Sequence, residues 1–159
     1  MRKGYNVPIW CTFIIILIAL DQLTKFLIVK SLEVGESIKV ISNFLYITSH
    51  RNQGAAWGIL QGKMWLFYIV TIVVLVILFM FFKNEGYGRP DVQLGLSLLI
   101  AGSIGNFIDR LFRGEVVDFV DTYIFSYNFP IFNVADAALT IGVIVLIIVI
   151  LFEGKEEKA

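Results

Sequence analysis

Charged residues are scarce in this chain, and the scarcity is the first constraint on its class. Only 16% of the 159 residues are Asp, Glu, Lys or Arg, while 58% are hydrophobic and the mean hydropathy is +0.82. Soluble domains carry about 25% charged residues. The composition therefore excludes an ordinary soluble domain and indicates a protein that lies in a membrane.

Cysteine and histidine are almost absent. Cys11 is the only cysteine and His50 the only histidine, so a disulfide within the chain is excluded and a familiar Cys/His zinc site lacks ligands. We interpret Cys11 as a small apolar helix residue and His50 as a polar residue of a strand or loop. The net charge is zero and no basic stripe is present, which argues against a nucleic-acid partner.

Four long apolar segments are the main feature that the sequence does have. A hydrocarbon layer about 30 Å thick requires roughly 20 helical residues, and this predicts transmembrane helices at about 7–28, 64–82, 92–112 and 131–152 in a single domain, followed by a flexible charged tail at 153–159. Arg2 and Lys3 precede the first segment, as in a signal peptide. No small-residue cleavage site follows, so we expect the first helix to be retained.

Two connecting segments are too rich in aromatic residues to be simple linkers. Residues 36–63 combine β-branched and aromatic residues in partial alternation, which predicts a short curved sheet between the first two helices. Its aromatic side chains, such as Phe44 and Trp57, would rest on the membrane surface. Residues 117–132 interleave acidic and aromatic side chains, and we predict an amphipathic loop or short helix there.

The orientation of the helices does not follow from charge alone. With four spans both termini share one side, and six lysine or arginine residues fall on each side of the predicted bundle, so the positive-inside rule gives a tie. Four of the cations on the side of the termini, at positions 2, 3, 83 and 89, lie in short segments close to helix ends. We therefore predict that both termini are cytoplasmic.

Asp118 and Asp136 stand at the edges of the long apolar segments. An ionisable group at a membrane boundary is costly and is by default a candidate for function, and two carboxyl groups suggest acid–base chemistry. Asp136 has a second explanation, because Asn133 and Asp136 have the spacing of a capping box at the start of the fourth helix. A cap does not account for Asp118.

Other polar residues occur at helical spacing. Asp21 and Lys25 are four apart, which favours a structural ion pair. Asn106 and Arg110 are also four apart, with Gly102 one turn earlier on the same face. Glycine there permits close approach of another helix or of an extended peptide, and a small-residue packing seam is the alternative. Arg110 and Asn106 are candidates for binding such a peptide, and a structural ion pair with neighbouring carboxylates is the alternative for Arg110.

The ordered motifs resemble those of the lipoprotein signal peptidases, also called signal peptidase II. Each motif alone is weak, but all five occur in the family's order across the whole chain. They are Asp21-x-x-x-Lys25, Asn52-Gln53-Gly54-Ala55-Ala56-Trp57, Gly102-x-x-Gly105-Asn106-x-x-Asp109-Arg110, Val116-Val117-Asp118-Phe119 and Phe132-Asn133-x-Ala135-Asp136.

The resemblance implies an aspartyl endopeptidase of the bacterial inner membrane. Such an enzyme removes signal peptides from prolipoproteins, cutting before a cysteine that carries diacylglycerol, at an extracytoplasmic active site beneath a β-cradle formed here by residues 36–63. Asp118 and Asp136 match the catalytic pair. The residues that match the surroundings of the substrate or a supporting pair are Asn52, Gly54, Gly102, Asn106, Arg110, Asn133, Ala135, Asp21 and Lys25.

Two carboxyl groups that share one proton can act as acid and base without a metal, so we expect neither a metal nor a cofactor. We also expect contact with membrane lipid, and the resemblance implies that cyclic peptides of the globomycin type inhibit the enzyme. We expect a monomer. One alternative is a small proton-coupled transporter or channel subunit that uses Asp21, Lys25, Asp118 and Asp136 as a relay. A structural membrane protein is a further alternative, but it leaves the aromatic loop between two aspartates unexplained.

Overall fold

Four long helices account for most of the chain. The computed structural model describes residues 4, 6–54, 63–125 and 127–156. The helices are α1 (Val7–Ser31), α2 (Met64–Glu85), α3 (Pro90–Arg113) and α4 (Val134–Glu156). Within the described residues, these four helices are long and apolar enough to cross a membrane. The prediction of a four-helix membrane protein is therefore confirmed.

Helix α3 is the centre of the bundle. It packs against the other three helices, and half of its 24 residues are buried, whereas none of the residues of α2 is buried. Apolar side chains on the outside of α1, α2 and α4 remain exposed in the isolated chain. This distribution is the one expected of helices that face lipid, because hydrocarbon tails satisfy apolar side chains as well as a protein core does.

Helix α4 begins with a reciprocal cap. The backbone N–H of Asp136 donates to Asn133 Oδ1 at 2.9 Å, and the backbone N–H of Asn133 donates to Asp136 Oδ2 at 3.2 Å. This pattern is a capping box, which satisfies N–H groups that have no partner within the helix. The cap places the start of α4 at Val134, three residues after the predicted start at position 131.

A four-stranded antiparallel sheet lies at one end of the bundle. Its strands, in spatial order, are β1 (Ser37–Ile41), β2 (Leu45–Asn52), β3 (Val116–Ile124) and β4 (Tyr127–Asn128). The sheet predicted between the first two helices is confirmed by β1 and β2. Ala55, Ala56 and Trp57 of the predicted β-cradle lie outside the described residues.

The prediction of a loop or short helix over residues 117–132 was wrong. Most of that segment is strand, because β3 pairs with β2 from Leu45↔Thr122 to Asn52↔Val116. Only Gly114 and Glu115 separate α3 from β3, and Gly114 adopts a left-handed conformation with φ of 73°. Glycine adopts this conformation without a Cβ penalty, so the chain turns sharply from the helix into the strand.

Helix α4 extends into the first residues of the charged C-terminal segment. Helix α4 continues to Glu156, and Glu153 forms an ion pair with Arg89, which also lies 4.0 Å from Glu85. These contacts join the end of α4 to the turn between α2 and α3. Residues 157–159 of the predicted tail lie outside the described residues.

Candidate active site

Asp118 and Asp136 face each other across Asn133. Asp118 lies on β3 and Asp136 in the first turn of α4. Asn133 Nδ2 donates to Asp118 Oδ1 at 2.6 Å, while the backbone N–H of the same residue donates to Asp136 Oδ2 at 3.2 Å. One asparagine therefore holds both carboxyl groups, and this arrangement follows from a strand and a helix that meet at the start of α4.

The environment of Asp118 favours its protonated form. The residue is only 1% exposed, and burial, together with the negative charge of Asp136, raises the pKa of its carboxyl from 3.8 to about 7. Asn52 and Asn133 donate hydrogen bonds that lower this pKa but do not offset the burial. A carboxyl group with this pKa can carry a proton near neutral pH.

Asn52 is the second amide on Asp118. Its Nδ2 donates to Asp118 Oδ2 at 3.1 Å, and its Oδ1 accepts from the backbone N–H of Gly54 at 2.9 Å. A side chain that binds its own backbone two residues later forms an Asx turn. The turn ends β2 and fixes the amide so that its N–H points at the carboxyl group.

Asn106 on α3 links Asp136 to a buried charge cluster. Asn106 Nδ2 donates to Asp136 Oδ1 at 2.7 Å, and Asn106 Oδ1 accepts from Lys25 Nζ at 3.0 Å. Lys25 Nζ in turn lies 2.8 Å from Asp21 Oδ2 and 3.1 Å from Asp109 Oδ2. The predicted pair of Asp21 and Lys25 is thus part of a larger network in which two carboxylates surround one ammonium.

Small residues allow α4 to approach α3 beside this network. A Cβ added at Gly102 would lie 2.5 Å from the Ala135 carbonyl oxygen, and one at Gly105 would lie 2.7 Å from Asp21 Oδ2. The backbone N–H of Ala135 donates to Asp21 Oδ1 at 2.9 Å. The small-residue face of α3 is therefore a packing seam between helices, which was one of the two explanations open from the sequence.

The two aspartates line a cavity of about 1170 Å³. Its polar end holds Asn52, Asn106 and Arg110, and its apolar wall comes from the segment between β4 and α4 and from the first turns of α4. Among the apolar lining residues are Tyr127, Phe129, Ile131, Phe132, Leu139 and Ile141. A cavity with one polar and one apolar side suits a ligand that has both characters.

Comparisons with known proteins identify the family of the chain. The family model for signal peptidase (SPase) II matches residues 13–152, and the lipoprotein signal peptidase of Staphylococcus carnosus (strain TM300) is 56% identical over 158 residues, covering 99% of both proteins. The chain belongs to the signal peptidase II family. It is accordingly a membrane protease of the signal peptidase II type. The alternative of a transporter or channel subunit has no support from these comparisons.

Two solved structures are similar to this signal peptidase II chain. Both are described as bacterial membrane enzyme structures obtained by the in meso method, at 2.3 and 1.9 Å resolution. The first has a TM-score of 0.93 and 49% identity, covering 98% of this chain and 95% of that one. The second has a TM-score of 0.88 and 51% identity, covering 95% and 97%.

Arg110 of this signal peptidase II chain has no carboxylate within 4.0 Å in the described part of the chain. Its Nη2 donates to the Gly54 carbonyl oxygen at 3.2 Å, its guanidinium lies 4.6 Å from the Phe67 ring centroid, and its Nε has no hydrogen-bond partner there. The sequence left open whether Arg110 forms an ion pair with a neighbouring carboxylate, and in the described residues it forms none. Asp109 instead contacts Lys25 and, at 3.5 Å, Arg113.

The sequence analysis gave no role in the site to three residues of this region: Asp109, which it quoted only within a motif, Gln22, and His50, which it interpreted as a polar residue of a strand or loop. Asp109 follows Gly102, Gly105 and Asn106 at helical spacing, which places it on the same face of α3 and could have identified it as a residue of this region. Gln22 bridges the Gly105 carbonyl oxygen at 3.1 Å and Asp109 Oδ1 at 3.3 Å. His50 lines the cavity and lies opposite Asp118 in the strand register. Nothing local in the sequence identifies the last two.

Proposed function

We propose that this chain removes signal peptides from prolipoproteins, with Asp118 and Asp136 as the catalytic pair. The observation that carries the proposal is their joint position. Both carboxyl groups line one cavity and bind one asparagine, and the pKa of Asp118 is raised to about 7. Neighbouring carboxyl groups do not ionise together at low cost, so the pair shares one proton.

The chemistry is hydrolysis of a peptide bond by proton transfer. The ionised aspartate accepts a proton from a water molecule, whose oxygen attacks the scissile carbonyl carbon, while the protonated aspartate donates to the carbonyl oxygen. In the resulting tetrahedral intermediate, which carries two hydroxyls, the proton held by the first aspartate passes to the nitrogen as the C–N bond breaks. The second aspartate takes back a proton from one hydroxyl, whose oxygen becomes the carbonyl oxygen of the new carboxylic acid, so the pair returns to its starting state. Titration belongs to the pair, so either aspartate can start as the base.

The amides and Arg110 define what surrounds the reacting bond. Asn52, Asn106 and Asn133 are all engaged with the two carboxyl groups, so they hold the aspartates rather than the peptide. Arg110 lines the cavity, and its Nε has no hydrogen-bond partner among the described residues, so we assign it to the substrate backbone. Charge-assisted hydrogen bonds of this kind fix a peptide more firmly than neutral ones.

The apolar wall indicates how a lipidated substrate enters. Leu139, Thr140 and Ile141 line the cavity from α4, and Ile141 is also exposed on the outside of that spanning helix. The cavity therefore continues towards the lipid-facing surface. A diacylglyceryl cysteine can enter sideways with its acyl chains in membrane lipid, while the peptide lies across the aspartates.

The remaining features of the proposal follow from family membership and the orientation argument. We place the chain in the bacterial inner membrane with both termini cytoplasmic and the aspartates at the extracytoplasmic face, acting as a monomer and inhibited by cyclic peptides of the globomycin type. The relay alternative requires ionisable groups through the membrane. In the described chain, however, the buried charged residues Asp21, Lys25, Asp109, Asp118 and Asp121 all lie at the end that carries the sheet.

The test is cleavage of a lipidated and an unlipidated substrate by the purified protein in detergent. Each buried methylene contributes about 0.8 kcal/mol, so two acyl chains should dominate binding. At equal concentration, the diacylglyceryl prolipoprotein should be cut at least 100-fold faster (~2.7 kcal/mol) than the form with a bare cysteine, as read from the mass shift on a gel. Equal rates would refute lipid-guided recognition, and no cleavage of either form would refute the proposed activity.

A further inference from the structure

Lys25 reaches the catalytic pair through one amide. The residue lies on α1 and is fully buried. Its ammonium has three N–H donors and no acceptor, and three acceptors surround it: Asp21 Oδ2 at 2.8 Å, Asp109 Oδ2 at 3.1 Å and Asn106 Oδ1 at 3.0 Å. The third contact is the one that leads towards Asp136.

An asparagine amide can present either its oxygen or its N–H₂ to a neighbour, since the two ends have almost the same shape. The groups around the amide decide which end points where. Because Lys25 can only donate, the oxygen of Asn106 must face Lys25, and Asn133 Nδ2 donates to the same oxygen at 3.1 Å. The N–H₂ end of Asn106 is therefore left to face Asp136, at 2.7 Å.

We infer that Lys25 is a positioning residue of the peptidase, resting on the function proposed above. By holding Asn106 Oδ1, it keeps Asn106 Nδ2 as a donor to Asp136, which is the arrangement that suits a carboxylate about to accept a proton from water. Without Lys25, the neutral donor Asn133 Nδ2 still holds Asn106 Oδ1, but the ammonium that fixes this oxygen is lost and the amide can turn to present its oxygen to Asp136. In that position the oxygen would accept a hydrogen bond from a protonated carboxyl group and favour the neutral form of Asp136.

The other two amides on the aspartates are held by backbone groups. Gly54 N–H fixes Asn52 Oδ1 and Asp136 N–H fixes Asn133 Oδ1, each at 2.9 Å. Asn106 differs from them because side chains hold its oxygen: the Lys25 ammonium from α1 and Asn133 Nδ2 from the start of α4. Through Asn106, the charge cluster on α1 and α3 therefore influences whether Asp136 is protonated.

A purely structural role is the competing explanation. Lys25 also neutralises Asp21 and Asp109 and ties α1 to α3, so its loss would destabilise the protein in any case. The two roles differ in pH dependence. The charged groups near Asp136 are Asp21 and Lys25 on α1, Asp109 and Arg110 on α3, and Asp118 on β3. The test must therefore hold the net charge of this set constant.

The double variant Lys25→Met with Asp109→Asn meets that condition. It removes one positive and one negative charge, so the charge of the cluster is unchanged, and it leaves Asn106 without its ammonium donor. The single variant Asp109→Asn is the matched control, because it disturbs the ion pairs and keeps the bond from Lys25 to Asn106. Both are compared with the wild-type full chain in detergent.

The readouts are the pH profile of kcat/KM and an infrared titration of the protonated carboxyl band, which needs no substrate. We expect both limbs of the bell-shaped profile of the double variant to move to higher pH by about one unit, because the pair loses a donor that favours its charged form. The control leaves the cluster one charge more positive, so its limbs should stay in place or move to lower pH, the direction opposite to the double variant, while its thermal stability falls. Lower rates with unmoved limbs and an unmoved infrared titration in the double variant would overturn the inference.

Asn106→Leu provides a second route if the double variant does not fold. This variant removes the donor to Asp136 and leaves every charge in place, so it should move the limbs in the same direction. Unmoved limbs in Asn106→Leu would also overturn the inference. If the wild-type chain cuts no prolipoprotein, the proposed function fails, and the infrared titration still decides the role of Lys25.

Discussion

Asp136 has two functions in the structure at the scale of single residues. It completes the capping box with Asn133, and it takes part in the pair with Asp118. The sequence presented these as competing explanations, but they are compatible because a carboxylate has two oxygens with several lone pairs. Oδ2 serves the cap and Oδ1 accepts from Asn106. The cap therefore fixes the position of the carboxyl group that the chemistry requires.

The raised pKa of Asp118 predicts a specific pH dependence of stability. The pKa is about 7 in the folded protein against an ordinary value of 3.8, so the folded state binds this proton more tightly than the unfolded chain does. Stability from this group is greatest at low pH and is lost as the pH rises from about 4 to about 7. The loss is on the order of 4 kcal/mol at most for a shift from 3.8 to about 7.

Asp118→Asn removes this titration. The variant should unfold at nearly the wild-type temperature at pH 4 and at a higher temperature than wild type at pH 8, as measured by thermal denaturation in the same detergent. The difference should grow as the pH rises from about 4 to about 7, because the wild type loses stability over that range. A difference in unfolding temperature that is the same at both pH values would contradict the account of Asp118.

The sequence identified the residues of the site, but not all of the contacts that they make with each other. Motif order placed Asn52, Asn106 and Asn133 near the aspartates, and the structure brings them together there. It did not reveal that Asp109 faces Lys25, because that contact depends on how α1 and α3 rotate against each other. Such partners across helices are set by the tertiary packing, which spacing along one helix does not encode.

The helices were predictable at the scale of elements, and strand β3 was not. Long apolar runs identify spanning helices by length alone, and α2 consists almost entirely of such a run. Strand β3 is defined by its pairing with β2, more than 60 residues earlier in the chain. The local pattern of aspartates and aromatic residues was compatible with a loop, a helix or a strand, since strand formation depends strongly on context.

The packing of α3 against α4 predicts the effect of a single methyl group. In Gly102→Ala the new Cβ would lie 2.5 Å from the Ala135 carbonyl oxygen, a backbone atom that cannot move alone. We expect the free energy of unfolding to fall by about 1–3 kcal/mol, although alanine favours a helix by about 1 kcal/mol over glycine. Cleavage should also slow, because Asp136 follows Ala135 directly.

Ser103→Ala at the next position is the matched control for this prediction, since it makes a half-buried side chain of the same helix smaller instead of larger. Its unfolding temperature and cleavage rate should stay near wild type. If Gly102→Ala is as stable and as active as the control, the two helices are less closely packed at this point than the account requires.

The orientation in the membrane is a property of the whole molecule, and the sequence leaves it undecided because the cations are balanced. The sheet and the aspartates lie at the end of the bundle opposite the turn between α2 and α3. An enzyme that acts on exported substrates needs this end outside the cytoplasm. An external reagent should therefore reach residues at the sheet end of the bundle and not those at the turn between α2 and α3.

Cysteine labelling in intact cells checks that statement. In a Cys11→Ala background, Val34→Cys lies between α1 and the sheet and should react with an impermeant thiol reagent. Asn84→Cys lies near the turn between α2 and α3 and should be shielded until the cells are opened. Both positions are exposed on the protein, so burial does not explain a difference. The reverse labelling pattern would place the aspartates on the cytoplasmic side.

The most direct test of the central claim is cleavage of a diacylglyceryl prolipoprotein by Asp118→Asn and Asp136→Asn. Each variant removes one acid–base group of the pair, so each should lose at least about 10³-fold in kcat while remaining folded. Asp121→Asn is the control, because Asp121 lies on the same strand but borders a separate recess with Tyr123 instead of the cavity. The account predicts near wild-type cleavage by the control and almost none by the other two, and substantial turnover by either of them would contradict it.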